Sequence, residues 1–182
     1  MPVLRGRLAA LQDTLGFARD GHAGKALAHA VNALPHDLLI GMDATALEAL
    51  ALTAMSLEDR PRPKLLLAED ALGRHLFAFA WLPRDELSTA RRLSIGEMVG
   101  RAADGRLLSW SIDLGDSGVA LIRYTFDRRA SARDPDAHAL DRELNRLVRG
   151  WGPSVEAALA EGGDGGRAAR LALRYAEAFP AG

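Results

Sequence analysis

Pro83, Arg84 and Asp85 stand between an apolar run and a helical pattern, and Ser88 falls just before that pattern begins. A helix start at this point offers free backbone N–H groups to a carboxylate, and the Arg84 guanidinium could grip the same carboxylate with two parallel hydrogen bonds. Asp85 could receive an ammonium group. Arg84, Asp85 and Ser88 are therefore a candidate effector-binding site for a small molecule carrying both charges. The same residues also fit a local role, with Asp85 or Ser88 as helix N-cap and Arg84 as a solvated surface side chain.

No other chemistry-bearing group assembles. His22 and His29 share a helix face only at two-turn spacing, and zinc takes three or four ligands. His36-Asp37 reads as a turn dipeptide after Pro35, and His75 alternates with Phe77 and Phe79 as a sheet or interface residue. A dinucleotide site needs a strand, then a Gly-rich turn opening a helix. The cluster Gly162-Gly163-Asp164-Gly165-Gly166 follows a helix instead, so it reads as a flexible linker. We expect no catalytic residue, no metal site and no cofactor site in this chain.

Composition narrows the classes further. The 182 residues suffice for one ordinary domain plus extra helices. Hydrophobic residues make up 48% but aromatics only 5%, so the core must be largely aliphatic. Basic and acidic residues balance at 23 against 24, which gives no electrostatic case for nucleic acid or an anionic membrane. The absence of cysteine excludes disulfides and thiolate chemistry. No window approaches the ~20 continuous apolar residues of a membrane span, and no apolar signal core follows the early Arg5 and Arg7. The expected location is the cytoplasm.

The elements that must position the candidate site can be read in order. Leu4, Leu8, Leu11 and Leu15 recur at helical spacing up to Gly16. Ala26, Leu27, Ala30, Val31 and Leu34 mark a second helix ending before Pro35. Thr45-Ala46-Leu47-Glu48 reads as the capping box of a third, with Leu47, Leu50, Ala54 and Met55 inward. Arg60-Pro61-Arg62-Pro63 then breaks the helix.

Strands are expected at 63–69, 74–82, 106–114 and 118–127. Both faces of 74–82 are mostly apolar, as in a central strand covered on two sides. In 107–114, Leu108, Trp110, Ile112 and Leu114 alternate with Ser109, Ser111 and Asp113, which fits an edge strand with one wet face. A helix over 88–103 suits a crossover between parallel, non-adjacent strands. The order that satisfies these patterns is 63–69, 74–82, 118–127, 106–114. It is an α+β fold, a four-stranded antiparallel sheet of ferredoxin-like order, permuted to ββαββα. A helix from about 136, carrying Leu140, Leu144, Leu147, Val148 and Trp151, supplies the second cover on the same face. Gly150, Gly152 and Pro153 should break it, before helices holding Val155 and Leu159, then Leu171, Tyr175 and Phe179. Phe77, Phe79 and Trp81 could stack RNA bases. Without a basic signature around them, burial under a helix or at a subunit contact is the favoured reading.

Taken together, Leu72-Gly73-Arg74, Pro83-Arg84-Asp85-Glu86-Leu87-Ser88-Thr89, Arg149-Gly150-Trp151 and Tyr175-Ala176-Glu177-Ala178-Phe179-Pro180 resemble one region. It is the N-terminal regulatory region of the large bacterial NAD-specific glutamate dehydrogenases. Lys25-Ala26-Leu27 and Leu34-Pro35-His36-Asp37-Leu38-Leu39 resemble it as well. The chain departs from the pattern at Leu87, where an aromatic is usual, at Ser88, where Asn is usual, and at Gly152-Pro153.

The resemblance implies a long cytoplasmic enzyme that oxidises glutamate to 2-oxoglutarate and ammonia with NAD. It also implies ACT-like modules that sense amino-acid or organic-acid effectors or mediate assembly with other domains or subunits. The βα loop that includes Arg84 and Asp85 is the usual effector site of such modules. The implied division is a helical segment at 1–60, an ACT-like domain at 61–150, and a helical extension at 151–182 leading toward a catalytic part. The competing expectation is a free-standing ACT-like sensor or interaction domain, which a reading frame continuing past Gly182 into a dinucleotide-binding domain would exclude.

Overall fold

A computed structural model describes residues 2–32, 42–70, 72–114, 118–130 and 133–149. Helices α1 (Pro2–Leu15), α2 (His22–Asn32) and α3 (Ala44–Asp59) come first. Leu11 of α1, Leu27 and Val31 of α2, and Leu47, Leu50 and Leu57 of α3 return at helical spacing and are buried in one cluster. Each fully buried leucine there contributes about 1.5–3 kcal/mol of transfer free energy. The start of α3 corrects the expected capping box. Asp43 is the N-cap, and its Oδ1 accepts from the Ala46 N–H at 2.7 Å. A carboxylate two residues earlier satisfies the orphan donor, so Thr45 is taken into the helix.

The sheet follows, with β1 (Lys64–Glu69), β2 (His75–Pro83), β3 (Arg106–Asp113) and β4 (Val119–Asp127). Its order is β1-β2-β4-β3 with every neighbouring pair antiparallel, as the alternation patterns require. The β1–β2 turn is pinned by Asp70, whose Oδ1 accepts from the Arg74 N–H at 2.6 Å and the His75 N–H at 2.8 Å. Gly73 supplies the left-handed φ of +63° that this turn needs. Burial pushes the Asp70 carboxyl up, but the two backbone donors and the nearby His75 and Arg74 outweigh it and hold it below its ordinary value.

Both faces of β2 are covered, as the sequence pattern predicts. On one side Leu76, Ala78, Ala80 and Leu82 meet α4 (Thr89–Ala103) and α5 (Ala137–Val148) through Ile95, Met98, Val99, Leu140, Leu144 and Val148. On the other, Phe79 and Trp81 lie stacked, centroids 6.2 Å apart, in the cluster formed by the first helices. These two rings are buried rather than displayed, so they are no stacking platform for bases. Helix α5 begins at the N-cap Asp136, which accepts from the Ala139 N–H at 3.0 Å. Trp151, the expected breaks at Gly150, Gly152 and Pro153, the glycine cluster and the helices expected after it lie outside the described residues, as does His36-Asp37.

Candidate functional site

The connection from β2 to α4 exists because Pro83 ends a strand and Ser88 starts a helix. Between them Arg84–Glu86 forms one 3₁₀ turn. Ser88 is the N-cap of α4, its Oγ accepting from the Arg91 N–H at 3.2 Å. The Arg91 guanidinium returns to the same turn, bonding the Glu86 carbonyl at 2.8 Å and its carboxylate at 2.5 Å. The Arg84 N–H reaches the Gly118 carbonyl at 3.1 Å, and its guanidinium donates to the Leu114 carbonyl. This turn is therefore tied to the far end of β3 and the start of β4. Of the residues singled out by sequence, Arg84 and Asp85 lie exposed on this turn and Ser88 spends its hydroxyl on the cap.

A groove of about 390 Å³ opens between α4 and β3, a size within the roughly 300–1,000 Å³ range of ligand clefts. Its floor is Tyr124 and Phe126 of β4, and its lips carry Arg92, Leu93, Arg101 and Leu107. Gly96 and Gly100 of α4 lie directly over those rings. A Cβ at Gly96 would come within 3.2 Å of the Tyr124 ring, and one at Gly100 within 3.3 Å of Phe126. The absent side chains thus let the helix come down onto the floor. The Tyr124 hydroxyl donates to the Arg92 carbonyl at 2.7 Å. Burial drives its ionisation well above the ordinary phenol range, against the opposing pull of the Arg92 cation, so it stays a neutral donor.

The outer wall of this groove is the β3 edge. Arg92 stacks on the Trp110 ring at 3.9 Å from its centroid. Even so, Leu107, Leu108, Trp110, Ile112 and Leu114 remain between 38% and 51% exposed. This revises the sequence expectation of one covered and one wet face on this strand. α4 sets Arg92 over Trp110 and its glycines over Tyr124 and Phe126, and Leu93 beside the groove is itself half exposed, so the apolar face of β3 is not buried.

The opposite edge is finished differently. Asp141 of α5 accepts from the Leu65 N–H at 2.7 Å through Oδ1 and from Lys64 Nζ at 2.7 Å through Oδ2. Arg128, buried at the end of β4, donates to Glu69 at the other end of β1 and to the Arg133 carbonyl. Neither contact has a local sequence signal, because Asp141 lies 76 residues from Leu65. Among the described residues no cluster of His, Cys, Asp or Glu could hold a metal ion, and no helix is long and apolar enough to cross a membrane.

Two family descriptions match the chain, "Glutamate dehydrogenase, helical motif 1" over residues 1–60 and "Glutamate dehydrogenase, ACT2 domain" over residues 64–152. Among curated relatives, it is 30% identical to the NAD-specific glutamate dehydrogenase of Halomonas elongata, with all of the chain aligned. It is 25% identical, again over all of the chain, to the enzyme of that name from Pseudomonas aeruginosa. Over 87% of the chain it is 25% identical to the one from Mycobacterium tuberculosis. The chain spans 11% of the length of the first two relatives and 10% of the third. Aligned along its whole length with the first two of these enzymes and carrying the four-stranded sheet of an ACT-like unit, the chain belongs to the NAD-specific glutamate dehydrogenase family, as a segment with helical motif 1 and the ACT2 domain.

Proposed function

We propose that this chain is a non-catalytic regulatory and assembly segment of an NAD-dependent glutamate dehydrogenase. The whole protein would convert glutamate and NAD to 2-oxoglutarate and ammonia in the cytoplasm, with the cofactor bound outside this segment. Residues 1–60 form its helical part, 61–150 its ACT-like domain, and 151–182 an extension toward the catalytic part. The observation that carries the reading is the contrast between a sheet packed on both faces and the open surface of α4 and β3. A fold that keeps so much apolar surface at one edge is built to be covered by something else.

The effector site is the β2–α4 connection, with Arg84, Asp85 and Ser88. An amino acid or organic acid there would compete for the Arg84 guanidinium, which otherwise holds the Leu114 carbonyl at the end of β3. Occupancy of the turn is thereby felt at the open edge. Calorimetric titration with glutamate, aspartate, arginine, citrate and NAD tests this. Saturable binding of one acid, weakened about tenfold or more in Arg84→Ala, is expected. Silence with every acid would remove the effector role, and heat from NAD would overturn the placement of the cofactor elsewhere.

A further inference from the structure

The groove between α4 and β3 is polar at one end and apolar along the rest. Arg92, Gly96 and Gly100 recur every four residues, so they stand in one row on α4, and all three line the groove. The row begins with a cation and continues with two positions that carry no side chain. Gly105, just past the end of α4, lines the far end with Leu107 and Phe126. Tyr124 and Phe126 are each only 1% exposed beneath the glycine backbone, so they are the base of a trough and not faces on which another ring stacks. The lips are apolar and open, with Leu93 50% and Leu107 42% exposed.

The cation at the head of the row is held ready for an anion. Arg91 is taken by Glu86, and Arg101 donates through Nε to the Glu97 carbonyl at 3.3 Å. Among the described residues, the Arg92 guanidinium meets the Trp110 ring and no carboxylate. The ring steadies the guanidinium through its charge and flat face, which leaves the N–H fork for a planar anion. Tyr124 does not compete, because its hydroxyl is spent on the Arg92 carbonyl. Glu97 lines the groove but stands exposed further along the lip. We propose that the groove binds a straight-chain monocarboxylate of about eight to ten carbons, its carboxylate on Arg92 and its chain over Gly96 and Gly100 toward Gly105. Arg92 and Gly100 lie eight residues apart, about 12 Å along the helix, which is the reach of such a chain. A bidentate arginine contact fixes the head and the apolar trough takes the tail. This site is separate from the β2–α4 turn and takes a ligand of another class.

Calorimetric titration of the full chain with octanoate and decanoate, each kept below its micelle concentration, is the test, with circular dichroism melts to check folding. One saturable site is expected, about tenfold tighter for decanoate because its extra methylenes lie in the groove. Decanol and decylamine should bind at least about tenfold more weakly than decanoate. Arg92→Gln should weaken decanoate about tenfold or more, and so should Leu93→Glu, which sets a negative charge on the lip. The amide NMR shifts moved by decanoate should centre on Gly96, Gly100 and Gly105. Absence of saturable binding overturns the proposal, as does decanol binding as tightly as decanoate, which would mark general adsorption to apolar surface. Shift changes centred on Arg84 and Ser88 would put the acid in the effector turn and overturn it too. If Arg92→Gln unfolds the chain, Leu93→Glu and the amide shifts decide alone. A chain that binds citrate or glutamate through Arg84 but not decanoate would sink this site and leave the effector role standing.

Discussion

β1 and β3 bound the same sheet and are about equally apolar, yet they end in opposite conditions. Leu65 of β1 is buried to 1% exposure, and its outward N–H is taken by Asp141 of α5. Along β3 every apolar side chain is more than a third exposed, and α4 meets it with Arg92 over Trp110 while its glycines lie over β4. An edge strand offers a row of hydrogen-bonding groups whatever its side chains, and something must satisfy or block them. In β1 the chain supplies the blocking groups itself. In β3 the apolar side chains stay open to solvent.

If that contrast is real, equivalent truncations at the two edges should differ sharply. Leu65→Ala should cost about 2–5 kcal/mol in denaturant unfolding, the range for an enclosed leucine. Leu108→Ala, measured on the monomer, should cost less than about 1 kcal/mol because water already reaches that side chain. Equal losses would mean that β3 is as enclosed as β1. The next effect is Asp141→Ala, which orphans the Leu65 N–H and separates Lys64 from its carboxylate. A loss of about 1–3 kcal/mol is expected, with faster hydrogen exchange at Leu65. If exchange at Leu65 does not change, Asp141 is not what closes the edge.

The smallest effect concerns acid. Asp70 at the β1–β2 turn is depressed although burial raises it, because the His75 and Arg74 N–H groups prevail. Asp127 beside β3 is depressed by hydrogen bonds from Arg129 and by the Arg106 charge, and Asp136 by the Ala139 N–H at the start of α5. A carboxyl whose folded pKa is depressed adds stability above its unfolded value and loses it as pH falls through the folded one. Melting temperature should therefore be flat near neutrality and fall below about pH 4. Asp70→Asn should lower the neutral Tm and flatten this dependence on the covered side. An unchanged slope in that variant would show that Asp70 does not contribute to it.

Much of the fold was legible because it depends on short-range patterns. The two-sided apolar run at 74–82 has to be a central strand, and a 15-residue helix between two parallel strands forces the crossover. From these the order β1-β2-β4-β3 follows. That Arg84, Asp85 and Ser88 share the connection between β2 and α4 was legible for the same reason, since they are close in sequence. Where the reading went astray, the deciding partner was elsewhere or could not be told from its neighbours. Asp43 and Thr45 are both good caps, and only backbone geometry chooses between them. Leu108, Trp110, Ile112 and Leu114 alternate like a buried face, and nothing local reveals that α4 meets this strand with Arg92 over Trp110 and leaves the rest open. Asp141 gives no sign in its own neighbourhood that it will cap a strand amide 76 residues away.

The sequence by itself determined the fold class, the strand order and the family, because periodicity, turn residues and the order of short segments are properties of the chain. Only the tertiary structure decided which edge is closed and which stays open, because that depends on which side chains of two helices meet the sheet. A carboxylate from α5 falls on β1, while α4 sends a stacked arginine to β3 and sets its glycines over β4.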